Sequence, residues 1–214
     1  PYVHAMSLER KNLRITVVRR KRGNEQLLAF IKEKHAGESG IVYTSSRAKA
    51  ETICAFLAAE GINCLCYHAG LSREQRELSQ TRFLHEKDAV IVATIAFGMG
   101  IDKADVRFVA HTFLPKSIEN YVQEIGRAGR DGQKAEAWLC FSGGDAFFQK
   151  KRIAESDAED WYKNISEVKQ DVMQGYAEST ECRRNLLLAY FGEETKEACG
   201  QCDNCLASEK SWDA

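Results

Sequence analysis

The sequence predicts an α/β protein: a mainly parallel sheet flanked by helices through about residue 143, then a small helical subdomain. Three observations predict it. Short apolar runs alternate with amphipathic helical patterns from Leu13 to Phe141. One run, Ala89-Val-Ile-Val-Ala93, is apolar on both faces, as a strand inside a parallel sheet is. From about Gly143 the strand pattern stops and helical patterns lead into four closely spaced cysteines, Cys182, Cys199, Cys202 and Cys205.

Taken in order, Leu13 to Val18 reads as a strand and Glu25 to Lys34 as a helix. Gly40 to Thr44 is a short apolar strand. Ser45 or Ser46 caps a helix that carries Ala50, Ile53, Cys54 and Leu57 on one face and ends at Gly61. Ile62 to Tyr67 is a strand, and Ser72-Arg-Glu-Gln75 is a capping box that opens the next helix. Ala89 to Ala93 and Val106 to His111 are strands. Pro115 halts the chain and Ser117 caps a helix whose Ile118, Tyr121, Val122 and Ile125 form one apolar face. Gln123, Arg127 and Arg130 follow the same period on the opposite side and are expected to point outward, with Arg130 at or just past the helix end because Gly126 and Gly129 weaken it. A solvated helix face closed by a glycine cap accounts for that spacing equally well. The glycines tilt the reading towards close approach of a ligand, and paired arginine forks suit phosphate. Ala135 to Phe141 is the last strand. Residues 145–154, 159–175 and 182–191 read as helices, and Gly192 caps the last.

The 214 residues are 44% apolar and 29% charged, a globular composition. The longest apolar run, Ala89 to Ile101, is too short for a bilayer and is broken by glycines, and the opening PYVHAMSLERK lacks a signal-peptide core. Neither a membrane nor secretion is expected. A chain that begins at Pro1 reads as a segment of something longer. Residues 1–152 carry 24 Lys and Arg against 17 Asp and Glu, and residues 153–214 carry 6 against 14, so the first segment is the candidate for polyanion contact.

In parallel sheets ligands bind beyond the carboxyl ends of the strands. The loops there read TSSRAKAE, HAGLSREQ and TIAFGMGID. They offer hydroxyls, glycines and basic groups at helix starts, the chemistry that holds phosphates. Cys54, Cys64, Cys66 and Cys140 have apolar neighbours and read as small buried hydrophobes. The other four follow C-x16-C-x2-C-x2-C, which suits four thiolates around a structural zinc ion; an iron–sulfur cluster is the alternative that four thiolates also suit.

With these pieces in place the chain resembles the RecQ family of DNA helicases. QEIGRAGRDG resembles that family's motif VI, VATIAFGMGID its motif V, and IVYTSSRAKAE with YHAGL its motif IV and the element after it. SLERKNLRITVV resembles the lead-in to the second motor lobe, and CRRNLLLAYFGE with CGQCDNC the zinc subdomain. The likeness runs from about Ser7 to Cys205, with short cysteine spacing of a bacterial kind. It implies a RecA-like second lobe over residues 1–143, a helical zinc-binding subdomain over 144–207 and a tail over 208–214.

The resemblance also implies roles. Arg130 becomes an arginine finger on the γ-phosphate of ATP, with Arg127 beside it and Gln123 near the attacking water. Asp102 and Gly100 of motif V join Arg127 and Arg130 around the nucleotide. Ser45, Arg47, His68 and Thr94 hold phosphates of single-stranded or forked DNA. Cys182, Cys199, Cys202 and Cys205 bind structural Zn2+. The sequence contains no G-x-x-x-x-G-K-[ST] phosphate cradle. ATP and Mg2+ are therefore expected to need a first RecA-like lobe in cis, a winged-helix domain is expected after the cysteines, and the segment alone is expected to hydrolyse no ATP. The implied activity is 3′ to 5′ translocation and duplex unwinding in DNA repair and recombination, at the nucleoid in the cytoplasm of a bacterium or in the nucleus of a eukaryote. The alternative is a non-catalytic, zinc-stabilised module that binds nucleic acid or protein.

Overall fold

A computed structural model describes residues 9–94, 97, 102–193 and 197–207. The elements are β1 (Leu13–Arg19), α1 (Gly23–Lys34), β2 (Gly40–Tyr43), α2 (Arg47–Ala59), β3 (Cys64–Tyr67), α3 (Arg73–His85), β4 (Val90–Ala93), β5 (Phe108–His111), α4 (Ile118–Ile125), β6 (Ala135–Phe141), α5 (Gly143–Ala154), α6 (Asp160–Glu178), α7 (Arg183–Tyr190) and α8 (Asp203–Leu206). Among the described residues six strands form one sheet in the order β1-β6-β5-β2-β4-β3. Every pairing is parallel, with Ile41 beside both Ile91 and Val109.

Strand alternation divides the core into two layers. Ile41, Tyr43, Ile91, Val109, Ala137 and Leu139 face one layer, closed by Phe83 of α3, Tyr121 and Ile125 of α4, Met173 and Tyr176 of α6 and Leu187 of α7. Val42, Val90, Val92, Phe108, Ala110 and Trp138 face the other, closed by Leu27, Phe30 and Ile31 of α1 and Ala50, Ile53 and Leu57 of α2. The helical subdomain thus seats α6 and α7 in the same core as the sheet. Phe108 leaves no room for a side chain at Gly40, where a Cβ would lie 2.0 Å from the ring. Gly40→Ala is expected to cost about 3 kcal/mol by overpacking, read as a fall in the thermal midpoint.

The caps follow the expected chemistry. The Ser46 and Ser117 hydroxyls accept from Lys49 N and Asn120 N, and Ser72 with Gln75 forms a complete capping box. One expectation fails. Helix α4 ends at Ile125, and GRAGRDG is a turn. Arg127 N donates to Glu124 O and Ala128 N to Ile125 O, a tighter three-residue step, and Gly129 then turns at φ +59° so that its N–H reaches Val106 O. Helical phase is lost there. Gln123 and Arg130 are exposed, but Arg127 is only 8% exposed and the outward stripe does not form.

Helix α4 also carries the chain from one edge of the sheet to the other. It starts after β5 at the carboxyl edge, and the turn that follows it packs on Ala104 and Val106, ahead of β5 at the amino edge. The turn and the loops of motif IV therefore lie at opposite edges of the sheet.

Candidate functional site: the arginine loop and the cysteine cluster

The cysteine cluster is assembled by two short helices. Cys182 is the N-cap of α7, Cys202 the N-cap of α8, and Cys205 lies in α8. The four Sγ atoms all lie within 4.8 Å of one another, and Cys199 Sγ is 3.8 Å from Cys205 Sγ. Metal–sulfur bonds of about 2.3 Å in a tetrahedron require sulfur separations of about 3.8 Å. One ion fills such a cage; a cluster of several irons and bridging sulfides needs a wider one. Backbone amides already face the sulfurs: Cys199 N donates to Cys182 Sγ, Cys202 N to Cys199 Sγ and Cys205 N to Cys202 Sγ. Burial works to raise the Cys199 thiol, but the amides of Gln201 and Cys202 together with the Cys182 and Cys202 thiols bring it down to about 7. Donor set, spacing and amides all suit Zn2+. Arg183, 4% exposed, bonds Asp203 of the knuckle on one side and Tyr176 O and Ala177 O on the other.

The loop from Gly126 to Gln133 presents Arg130 at its tip. Its Nη1 lies 3.3 Å from Asp102 Oδ1, and both side chains reach solvent. Arg127, buried, lies against Tyr43. Burial pushes the Tyr43 phenol well above its ordinary range, and the Arg127 guanidinium opposes the shift. Arg127 Nε is buried without a hydrogen-bond partner among the described residues. Next to it His111 Nε2 and Glu124 Oε2 are 2.6 Å apart and fully enclosed, while Tyr43 Oη donates to Phe97 O. The two guanidinium groups thus differ: Arg127 is buried against Tyr43, and Arg130 reaches solvent beside Asp102. Gln123 is exposed on the last turn of α4. Gly100 lies outside the described residues.

The motif IV group gathers at the carboxyl edge. Ser45 and Arg47 follow β2, His68 follows β3 and Thr94 follows β4, adjacent strands in the sheet. The Arg47 side chain packs beside Gly70. Ser45 and Thr94 are half-buried and Arg47 exposed. His68 differs: it is 2% exposed, its Nδ1 accepts from Gly70 N and its Nε2 lies 3.0 Å from Glu51 Oε1. The ring braces its loop through Nδ1, while Nε2 is buried near Glu51 without a hydrogen bond to it among the described residues. A groove of about 510 Å³ runs from Ser45, Ser46 and Lys49 to Phe148 and Arg152 of α5.

Residues 22–132 match the helicase conserved C-terminal domain and residues 143–206 the RecQ zinc-binding domain. This chain belongs to the RecQ helicase family. It is 44% identical to an ATP-dependent DNA helicase RecQ of Pasteurella multocida, over 100% of this chain and 33% of that protein. It is equally 44% identical to an ATP-dependent DNA helicase RecQ of Haemophilus influenzae, over 97% of this chain and 33% of that one. The chain therefore spans about a third of the length of the curated relatives it matches. Among solved structures it is similar to the E. coli DEAD-box protein SrmB bound to regulator of ribonuclease activity A, with a TM-score of 0.53 and 25% identity over 68% of this chain and 85% of that one.

Several residues of this RecQ site carry no local sequence signal. Arg107 closes the loop from one side, bonding Asp131, Lys134 O and Ala104 O. Arg10 and Asn12 close it from the other, donating to its carbonyls. His111 and Glu124 read as strand and helix positions until they meet. No described helix is long and apolar enough to cross a membrane.

Proposed function

We propose that this RecQ chain is the second motor lobe, residues 1–143, and the zinc subdomain, residues 144–207, of an ATP-dependent DNA helicase that moves 3′ to 5′ on single-stranded or forked DNA. The observation that carries the reading is the arginine loop: a solvent-facing Arg130 beside Asp102, with Arg127 buried in the same turn. Facing a nucleotide on a first lobe in cis, Arg130 would place a guanidinium on the γ-phosphate. Asp102 orients Arg130, Arg127 adds fixed positive charge, and Gln123 and Gly100 complete the nucleotide side. ATP and Mg2+ belong to the first lobe, because the 214 residues hold no phosphate cradle. A winged-helix domain in cis completes the protein, and repair and recombination of DNA are its setting.

At the opposite edge Ser45, Arg47 and Thr94 take strand phosphates, and His68 holds the shape of their pocket. Motif V leaves that edge at Thr94 and reaches Arg130 with Asp102, and α4 spans the same gap. In this reading strand and nucleotide would bind at two ends of the same elements, as a motor requires. Arg47→Ala is expected to weaken single-strand binding for all sequences alike and to flatten the slope of log affinity against log salt by about 0.7, the value of one phosphate contact. The function itself is tested on the full-length protein by ATPase with and without single-stranded DNA and by displacement of a strand from a 3′-tailed duplex. Strand-stimulated turnover with displacement is expected. A full-length protein with no turnover returns the chain to the binding-module reading.

A further inference from the structure

The segment Glu9 to Leu13 joins two regions that sequence keeps far apart. The side chains of Arg10 and Asn12 face the arginine loop. Arg10 Nη2 donates to Ala128 O and Gly129 O, both at 2.8 Å, and Nη1 to Gly126 O at 3.4 Å. Asn12 Nδ2 donates to Gly129 O and Gln133 O, each at 2.8 Å. Two neighbouring side chains thus satisfy carbonyls at both ends of the turn that carries Arg130. The fit leaves no slack: a Cβ at Gly129 would lie 2.6 Å from Asn12 Nδ2 and 2.7 Å from Gln133 O.

The backbone of the same segment faces the metal knuckle. Arg184 of α7, two residues after the ligand Cys182, donates to Arg10 O and Leu13 O, and its guanidinium also lies 3.9 Å from Glu9. Gln201, between the ligands Cys199 and Cys202, donates to Lys11 O at 2.8 Å. Carbonyls bound to the knuckle alternate along the chain with side chains bound to the loop. A shift of the knuckle would therefore move Arg10 and Asn12, and with them the backbone on which Arg130 stands.

We propose that Arg10 and Asn12 are positioning residues for Arg130, and that Arg184 and Gln201 fasten this bracket to the metal centre. The proposal rests on Arg130 acting at the γ-phosphate. An arginine that must reach across a cleft works only from a fixed base, and a misplacement of about 1 Å can cost on the order of 10²-fold in rate. Neither Arg10 nor Asn12 need touch ATP or DNA for this.

The test is a double-mutant cycle in the zinc-loaded full-length protein: wild type, Arg10→Ala, Arg130→Ala and the pair. Arg10→Ala is expected to lower kcat for strand-stimulated ATP hydrolysis on the order of 10²-fold. KM for ATP and single-strand affinity should stay within about threefold, because an interaction confined to the transition state lowers kcat alone. Zinc content is expected to remain at the wild-type level. In the Arg130→Ala background the same change is expected to cost nothing further. Arg10→Lys, a point donor in place of a fork, should recover only part of the rate. Equal losses in both backgrounds would mean ordinary destabilisation and overturn the proposal, as would an unchanged kcat. An inert Arg130→Ala, by contrast, overturns the arginine-finger reading itself. If Arg10→Ala fails to fold, Asn12→Ala replaces it in the cycle with the same two outcomes.

Discussion

Arg130→Ala is expected to lower strand-stimulated ATP turnover of the full-length protein on the order of 10³-fold while leaving ATP and DNA binding within reach of wild type. Hydrolysis spreads charge over the equatorial oxygens of the transferred phosphoryl group, and a guanidinium fixed in place meets that charge without paying for reorganisation. Arg130 has the attributes of such a group. It stands at the tip of a turn whose carbonyls are held by Arg10 and Asn12 and whose Asp131 is held by Arg107. Its own orientation is shared with Asp102. Its exposure means that removal leaves no buried void, so the variant should fold and melt like the wild type. Arg127→Ala is a different experiment. It empties a buried site against Tyr43 and Glu124, and stability is expected to fall along with activity. Loss of rate with unchanged melting in Arg130→Ala alone is therefore the signature of the trans-cleft arginine. A variant that hydrolyses ATP at the wild-type rate would instead make GRAGRDG a contact for DNA or protein.

The strands were legible because a fully buried parallel sheet forces unbroken apolar runs, and β2 and β4 are buried along their whole length. The caps were legible because a serine hydroxyl acts on an amide three residues away. Arg127 departs from the periodic pattern because the 3.6-residue period stops at Gly126. Nothing local to Arg127 announces the tighter step at Gly126, which depends on Gly129 docking on Val106. Arg10 and Asn12 left no trace for a sharper reason: their partners lie 116 to 121 residues away. His68 stands in a motif that reads as phosphate contact, and only the fold shows both ring nitrogens already turned to Gly70 and Glu51. The cysteines were the opposite case. Their spacing marks four positions as one ligand set, which suits zinc or an iron–sulfur cluster, and only the sulfur separations favour a single ion.

Loss of the metal is expected to release the knuckle before the sheet. Helix α8 has four residues and buries none of them in an apolar core, so residues 197–207 rest on a metal and on a few polar contacts such as Gln201 to Lys11 O and Arg183 to Asp203. Structural zinc supplies about 10–16 kcal/mol to small sites of this kind, and without it four thiols crowd within 4.8 Å for no return. Cys202→Ser removes the most buried ligand, at 1% exposure. The variant is expected to lose its zinc and to be cut by protease within 197–207 while the sheet still melts cooperatively. The damage should then spread through Arg183. Its guanidinium is enclosed and pairs with Asp203, and a buried charge that loses its partner costs about 3–5 kcal/mol. Because α6 and α7 share the core layer of Tyr121 and Ile125, part of that loss is expected in the melting of the sheet itself. Arg183→Met in the zinc-free background separates the contributions: it should restore melting without restoring protease resistance of the knuckle. Metal analysis of the purified protein decides the premise. One zinc per chain is expected; iron with inorganic sulfide, or a Cys202→Ser variant that keeps its metal and its melting point, would overturn it.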